Sequence, residues 1–260
     1  MAQPNRSLLP REHGAYAELG FPLLSGLGLG RPGVAAFSFA LAAVLFFLLH
    51  EPLAILAGVR GERVLREHGP RARSRAALIA AGGLTAGTLG LLAAPAAARV
   101  GALIPGGFAL ALAPLALTGR VKNLAGEILV AAALAGTLVP VALASRVEWS
   151  YALLASCVWF ASFALATFTV HALKARVKQH LSPPWTVAAA PVLGMIILAL
   201  GIAIGYSGMV PPLTAAALLP PAVATLAVNA VAVHPRRLRR VGWSLVAANV
   251  LTAALLLGGH

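Results

Sequence analysis

The chain has 260 residues, 60% hydrophobic and only 10% charged, with a mean hydropathy of +0.88. That is too little charge for an additional soluble domain, so one integral membrane domain over 1–260 is expected, and the net charge of +13 lies in short separators rather than in the exposed basic domain that nucleic-acid binding requires. The single cysteine, Cys157, excludes an intrachain disulfide, and Met1 to Pro10 lacks the apolar core and cleavage site of a secretory signal.

Nine apolar runs follow one another, at roughly 14–30, 34–58, 76–98, 100–118, 124–145, 149–173, 186–206, 210–232 and 241–258. Each approaches the roughly 20 residues that a helix needs to cross a bilayer. Turn chemistry separates them at Arg31-Pro32-Gly33, Pro105-Gly106-Gly107, Ser182-Pro183-Pro184, Ser207-Gly208 and His234-Pro235. The expected fold is therefore all-α, a polytopic bundle of nine transmembrane helices. Abundant Ala and Gly suit close helix packing in lipid.

The basic residues alternate by side. Arg6 and Arg11, the six arginines from Arg60 to Arg75, Arg120 and Lys122, Lys174, Arg176 and Lys178, and the four from Arg236 to Arg240 make 17 on one face, while Arg31, Arg99 and Arg146 make 3 on the other. Retention of Lys and Arg in cytoplasmic loops predicts a cytoplasmic N-terminus and an extracytoplasmic C-terminus in the plasma (inner) membrane. The 60–75 stretch is expected to be a basic loop. All seven acids are glutamates, and six of them (Glu12, Glu18, Glu51, Glu62, Glu67 and Glu127) fall on the same basic side, with Glu148 opposite. The positive-inside rule does not require acids there, so their gathering marks a candidate site.

Along the chain, Glu12 and His13 stand at the entry to the first run, where Glu12 also suits a helix N-terminus. Glu18 lies one to two turns inside, where an ionisable group is costly and seeks a partner or cavity. His50 and Glu51 precede Pro52 near the end of the second run; the HExxH zinc motif is absent because position 54 is Ala. Asn123 and Glu127 are i, i+4 and share a helical face, with Arg120 and Lys122 just before them. Lys122 is a candidate partner for Glu51 or a ligand, and Asn123 is equally an N-cap. His171, Lys174 and Lys178 share one face at the end of the sixth run, and the two lysines suit a phosphate as point charges. There is no phosphate-binding P-loop, no dinucleotide fingerprint and no CxxC pair.

Arg11-Glu12-His13-Gly14-Ala15-Tyr16 resembles the entry motif of the YwiC-like membrane protein family, a Glu-His-Gly-Ala-aromatic sequence leading into the first span. More loosely, nine spans with polar segments after the second and sixth are similar to the UbiA-type intramembrane prenyltransferases. That resemblance implies a prenyl diphosphate held through Mg²⁺ by two Asp-rich motifs. Aligned on the first motif, His50 and Glu51 stand for Asn-Asp, and Ala54 and Gly58 for the later aspartates; the second motif's region offers His171 and Lys174. With no aspartate in the chain, no Mg²⁺ and no other metal or cofactor is expected.

The expectation is a cytoplasm-facing polar cavity for an isoprenoid or a lipid with a phosphate-like head. Glu51, His50 and Glu18 are its candidate acid/base or orienting groups. Glu12, His13, Lys122, Asn123, Glu127, His171, Lys174 and Lys178 are its candidate binding groups. If the site is catalytic, prenyl or related group transfer is the reaction; the alternatives are a small-solute transporter and a non-catalytic assembly factor.

Overall fold

A computed structural model describes residues 13–177, 185–231 and 238–260. Among these, twelve α-helices and one 3-10 turn are present and no strand: α1 (His13–Gly28), α2 (Val34–Leu56), α3 (Glu62–Ala93), α4 (Ala96–Gly101), α5 (Leu103–Leu117), the 3-10 turn Arg120–Lys122, α6 (Leu124–Gly136), α7 (Leu138–Ala144), α8 (Trp149–Val177), α9 (Trp185–Ser207), α10 (Pro212–Ala216), α11 (Leu219–Ala230) and α12 (Leu238–Gly258). Eight helical runs among the described residues are long and apolar enough to cross a membrane. Helix α1, with 16 residues, is shorter, but it runs through the depth of the bundle. Tyr16 stacks edge-on against Phe47 near the end of α2, with ring centroids 5.2 Å apart. At the other end, the Arg31 amide donates to Ser145 O at 2.8 Å. The separators expected at 182–184 and 234–235 lie outside the described residues.

Three of the spans are jointed, at Ala102, Thr137 and Ala217-Leu218, and each joint lies just before a proline. Pro105, Pro140 and the Pro220-Pro221 pair all fall in the first turn of the helix that restarts. There a missing N–H costs nothing, because first-turn amides have no intrahelical acceptor. The bond from position 221 to the Ala217 carbonyl is thereby lost. Thr252 on α12 replaces it, its Oγ1 donating to Ala217 O at 3.1 Å. In lipid, a freed backbone carbonyl needs such a donor.

Two separator expectations need correction. Pro105-Gly106-Gly107 is not a turn but part of α5; the chain breaks instead at Ala94-Pro95, where Arg99 caps the end of α3 by donating from Nε to Ala94 O at 3.0 Å. The basic segment expected as a loop over 60–75 is mostly helix, because α3 starts at Glu62. Its 32 residues span about 48 Å at roughly 1.5 Å per residue, against a hydrocarbon core of about 30 Å. The arginine-bearing turns are thus the protruding end of a span. Gly69, Ala72 and Ala76 are buried along that end, and Ile55 of α2 packs on Ala72.

Small residues set the packing of α3 on α2. A Cβ at Gly90 would stand 2.9 Å from Phe39, and one at Gly83 would stand 3.0 Å from Phe46. Helix α7 occupies the centre, with all seven of its residues buried among α1, α2, α4 and α8. Trp159 of α8 is fully buried, stacked on Phe21 and Phe163, and donates from Nε1 to Ser25 Oγ at 3.1 Å. Helix association in lipid relies on such dispersion contacts and interhelical hydrogen bonds.

Candidate functional site at the basic end of the bundle

Three contacts gather the candidate residues at one end. The Tyr16 and Phe47 rings bring the start of α1, with Glu18 one half-turn on, beside the last turns of α2, with His50 and Glu51. Gly119 packs on Val59, so that a Cβ there would stand 3.3 Å from Val59 Cγ1. This joins the turn before Asn123 to the turn after α2. A Glu127 to His171 bond then ties α6 to α8.

Glu51 is 1% exposed, and its partner is Arg60, a residue that the sequence marked only as a topology signal. Arg60 Nε donates to one carboxylate oxygen at 3.2 Å and Nη2 donates to the other. The local sequence makes this reach possible. Gly58 and Gly61 adopt positive φ angles of 74° and 94°, a region that L-residues with a Cβ avoid. Between them, the tight turn folds Arg60 back onto the helix it has just left. The Glu51 clasp therefore fixes how α2 turns into α3, and it engages both oxygens of a carboxylate expected to do chemistry.

Asn123 caps α6: its β-region backbone ends the turn, and its Oδ1 accepts from the Gly126 amide at 2.7 Å. Gly126 is dictated by the chain crossing above it, since a Cβ would stand 2.5 Å from Val121 O. This cap sets the first turn of α6 and aims Glu127 at α8. Glu127 Oε2 and His171 Nε2 lie 2.8 Å apart, with exposures of 34% and 24%. Lys122 is exposed beside the cap, and Lys174 is exposed one turn beyond His171. His50 is exposed and Glu18 is half-buried.

Glu127 and His171, two of the candidate binding groups, are thus neighbours, and Asn123 is a cap. The sequence reading missed Arg60, whose signal was the Gly58-to-Gly61 turn. Glu12 and Lys178 lie outside the described residues, as does the side chain of His13. Among the described residues, no three His, Cys, Asp or Glu side chains gather within metal-binding reach of one another.

A second polar feature was also missed. On α8, Ser162, Thr169 and Arg176 recur at i, i+7, i+14, a single stripe. Ser162 Oγ donates to Asn249 Oδ1 of α12 at 2.6 Å, and Thr169 Oγ1 donates to Thr225 Oγ1 of α11 at 3.3 Å. Arg176 Nη2 donates to Asn229 Oδ1 at 3.1 Å. These bonds tie α8 to α11 and α12.

Comparison with known proteins gives one match. A family model described as "YwiC-like protein" covers residues 9–142, slightly more than half of the chain. No curated protein and no solved structure matches.

Proposed function

We propose, for a chain that belongs to the YwiC-like protein family and is an integral membrane protein, that its basic end faces the cytoplasm and binds an isoprenoid or other lipid with a phosphate-like head. The observation that carries this is the partly exposed Glu127 and His171 pair, flanked by exposed Lys122 and Lys174. Two cations and a histidine beside an apolar bundle suit a ligand with an anionic head and a hydrocarbon tail. Lys122 and Lys174 neutralise the head as point charges. Glu127 fixes the orientation of the His171 ring beside it; Glu18 and His50 complete the rim near the start of α1 and the end of α2. A reaction at this site would be prenyl or related group transfer.

Recognition without Mg²⁺ is part of the proposal. Mg²⁺ takes oxygen ligands in near-octahedral array. Here both oxygens of Glu51 accept from Arg60, and the corresponding end of α8 offers His171 and Lys174. These groups do not fit the ion that the prenyltransferase resemblance implies.

The test is prenyl diphosphate binding to the purified protein. Binding is expected to survive excess chelator and to weaken about ten- to hundredfold on Lys122→Ala or Lys174→Ala, the loss of one charge-assisted hydrogen bond of about 1.5–3 kcal/mol. Loss of binding with chelator, together with normal binding by both variants, would restore the metal-dependent reading. No isoprenoid binding under any condition would favour small-solute transport, for which the buried Ser162, Asn249, Thr169 and Thr225 contacts supply intramembrane polar groups.

A further inference from the structure

Arg176 is the penultimate residue of α8, five residues beyond His171. At 3.6 residues per turn that is about 140° around the helix, so Arg176 faces α11 while His171 faces α6. Its Nη2 donates to Asn229 O at 3.2 Å and to Asn229 Oδ1 at 3.1 Å. Asn229 is itself held, donating from Nδ2 to Thr225 O at 2.8 Å. The plane of the guanidinium is thus fixed by a braced partner. Its Nη1, by contrast, is buried and has no hydrogen-bond partner among the described residues. A buried charged donor left unpaired is destabilising. With Nη2 given to Asn229, the donors left over are those of Nη1, and a guanidinium N–H suits a phosphate oxygen as a charge-assisted donor.

The depth is that of lipid headgroups. Helix α8 has 29 residues, about 43 Å at roughly 1.5 Å per residue, so its last turns pass beyond a hydrocarbon core of about 30 Å. Two exposed tryptophans mark the same level, Trp185 at the start of α9 and Trp243 one turn into α12, as expected of an interfacial aromatic belt. Arg239 and Arg240 are exposed in the first turn of α12, which packs on α11. Their charge favours an anionic headgroup over one that carries a choline cation.

We propose that Arg176 is the anion-binding residue of a second site, between the ends of α8, α11 and α12, that takes the phosphate of an anionic membrane phospholipid. The site is separate from the His171 face and stands whether or not an isoprenoid binds there. The fixed Nη2 pair positions the guanidinium, Nη1 donates to a phosphate oxygen, and Arg239 and Arg240 select the net charge of the headgroup.

The experiment uses the full chain in neutral detergent, with native mass spectrometry and unfolding midpoints in phosphatidylglycerol, phosphatidylcholine and excess inorganic phosphate. The wild type and Arg73→Gln, a control at an exposed arginine of α3, are expected to retain phosphatidylglycerol in preference to phosphatidylcholine. Arg176→Gln should hold it at least tenfold more weakly. Arg176→Lys, which keeps the charge and loses the separate Nη2 and Nη1 donors, should fall between and serves where the glutamine variant fails to fold. Equal retention of phosphatidylglycerol by the wild type and both Arg176 variants would overturn the site. Equal retention of the two lipids by the wild type would overturn the anionic selectivity. Release of the lipid by inorganic phosphate, with an equal rise in midpoint, would overturn the lipid source and assign the site to free phosphate.

Discussion

Removing Arg60 tests the account of the α2 to α3 turn most directly. Arg60→Ala leaves the Glu51 carboxylate at 1% exposure with neither of its two guanidinium bonds. Breaking a fully buried ion pair from one side costs about 3–5 kcal/mol. Arg60 keeps 26% of its exposure, so water replaces part of what it supplied, and the expected cost falls to about 2–3 kcal/mol, in line with one or two charge-assisted hydrogen bonds. For a chain of this size that is a drop of about 4–12 °C in unfolding midpoint. The assay is thermal unfolding in lipid nanodiscs followed by fluorescence of the fully buried Trp159. The double variant Glu51→Gln/Arg60→Ala should be less damaged than Arg60→Ala alone, because the buried group left behind is then neutral. An unchanged midpoint for Arg60→Ala, or strictly additive effects in the double variant, would refute the reasoning and make the pair a solvent-screened surface contact.

Other expectations follow from the same geometry. Thr252→Val removes the donor to the Ala217 carbonyl at nearly constant volume and should cost about 1–2 kcal/mol, read as a lowered midpoint beside an unaffected exposed-site variant; no change would mean that the proline-freed carbonyl finds another donor. Gly126→Ala drives a Cβ to 2.5 Å from Val121 O and should cost about 1–3 kcal/mol as overpacking, whereas Gly20→Ala, with nothing within 4 Å, should be tolerated; equal midpoints for the two would contradict the crossing. In a background lacking Cys157, a cysteine replacing the exposed Arg66 should react with an impermeant thiol reagent only from the cytoplasmic side, and a reporter after His260 should be extracytoplasmic; both on one side would remove the odd number of crossings.

The sequence was most legible where its physics was simplest. Apolar runs about one bilayer long located most of the spans. It was least legible where proline and arginine carried two meanings. Pro105 and Pro140 read as turn or mid-span residues, yet each opens a helix just past a joint. The Arg63 to Arg75 stretch read as loop because it is polar, yet its buried Gly69, Ala72 and Ala76 lie at helical spacing against α2. In the site, the i, i+4 spacing of Asn123 and Glu127 located a real first turn. The choice of Arg60 as the partner of Glu51 depended on two positive φ glycines, a backbone property that residue type only hints at. The Ser162, Thr169 and Arg176 stripe was present as a seven-residue spacing, but small hydroxyls inside an apolar run do not stand out until their partners on α11 and α12 are known.

The Glu127 and His171 bond joins two helices of different mechanical character. Helix α8 is an unbroken rod from Trp149 to Val177, so a push at one end is delivered to the other. Helix α6 stops at Gly136, and beyond the Thr137 joint α7 is packed in on every side. Near the Thr137 joint the same two helices are already pinned, Ser156 Oγ of α8 donating to Ala135 O of α6 at 3.1 Å. The Glu127 and His171 bond closes the opposite end of that helix pair, so the two are held at both ends and part only together.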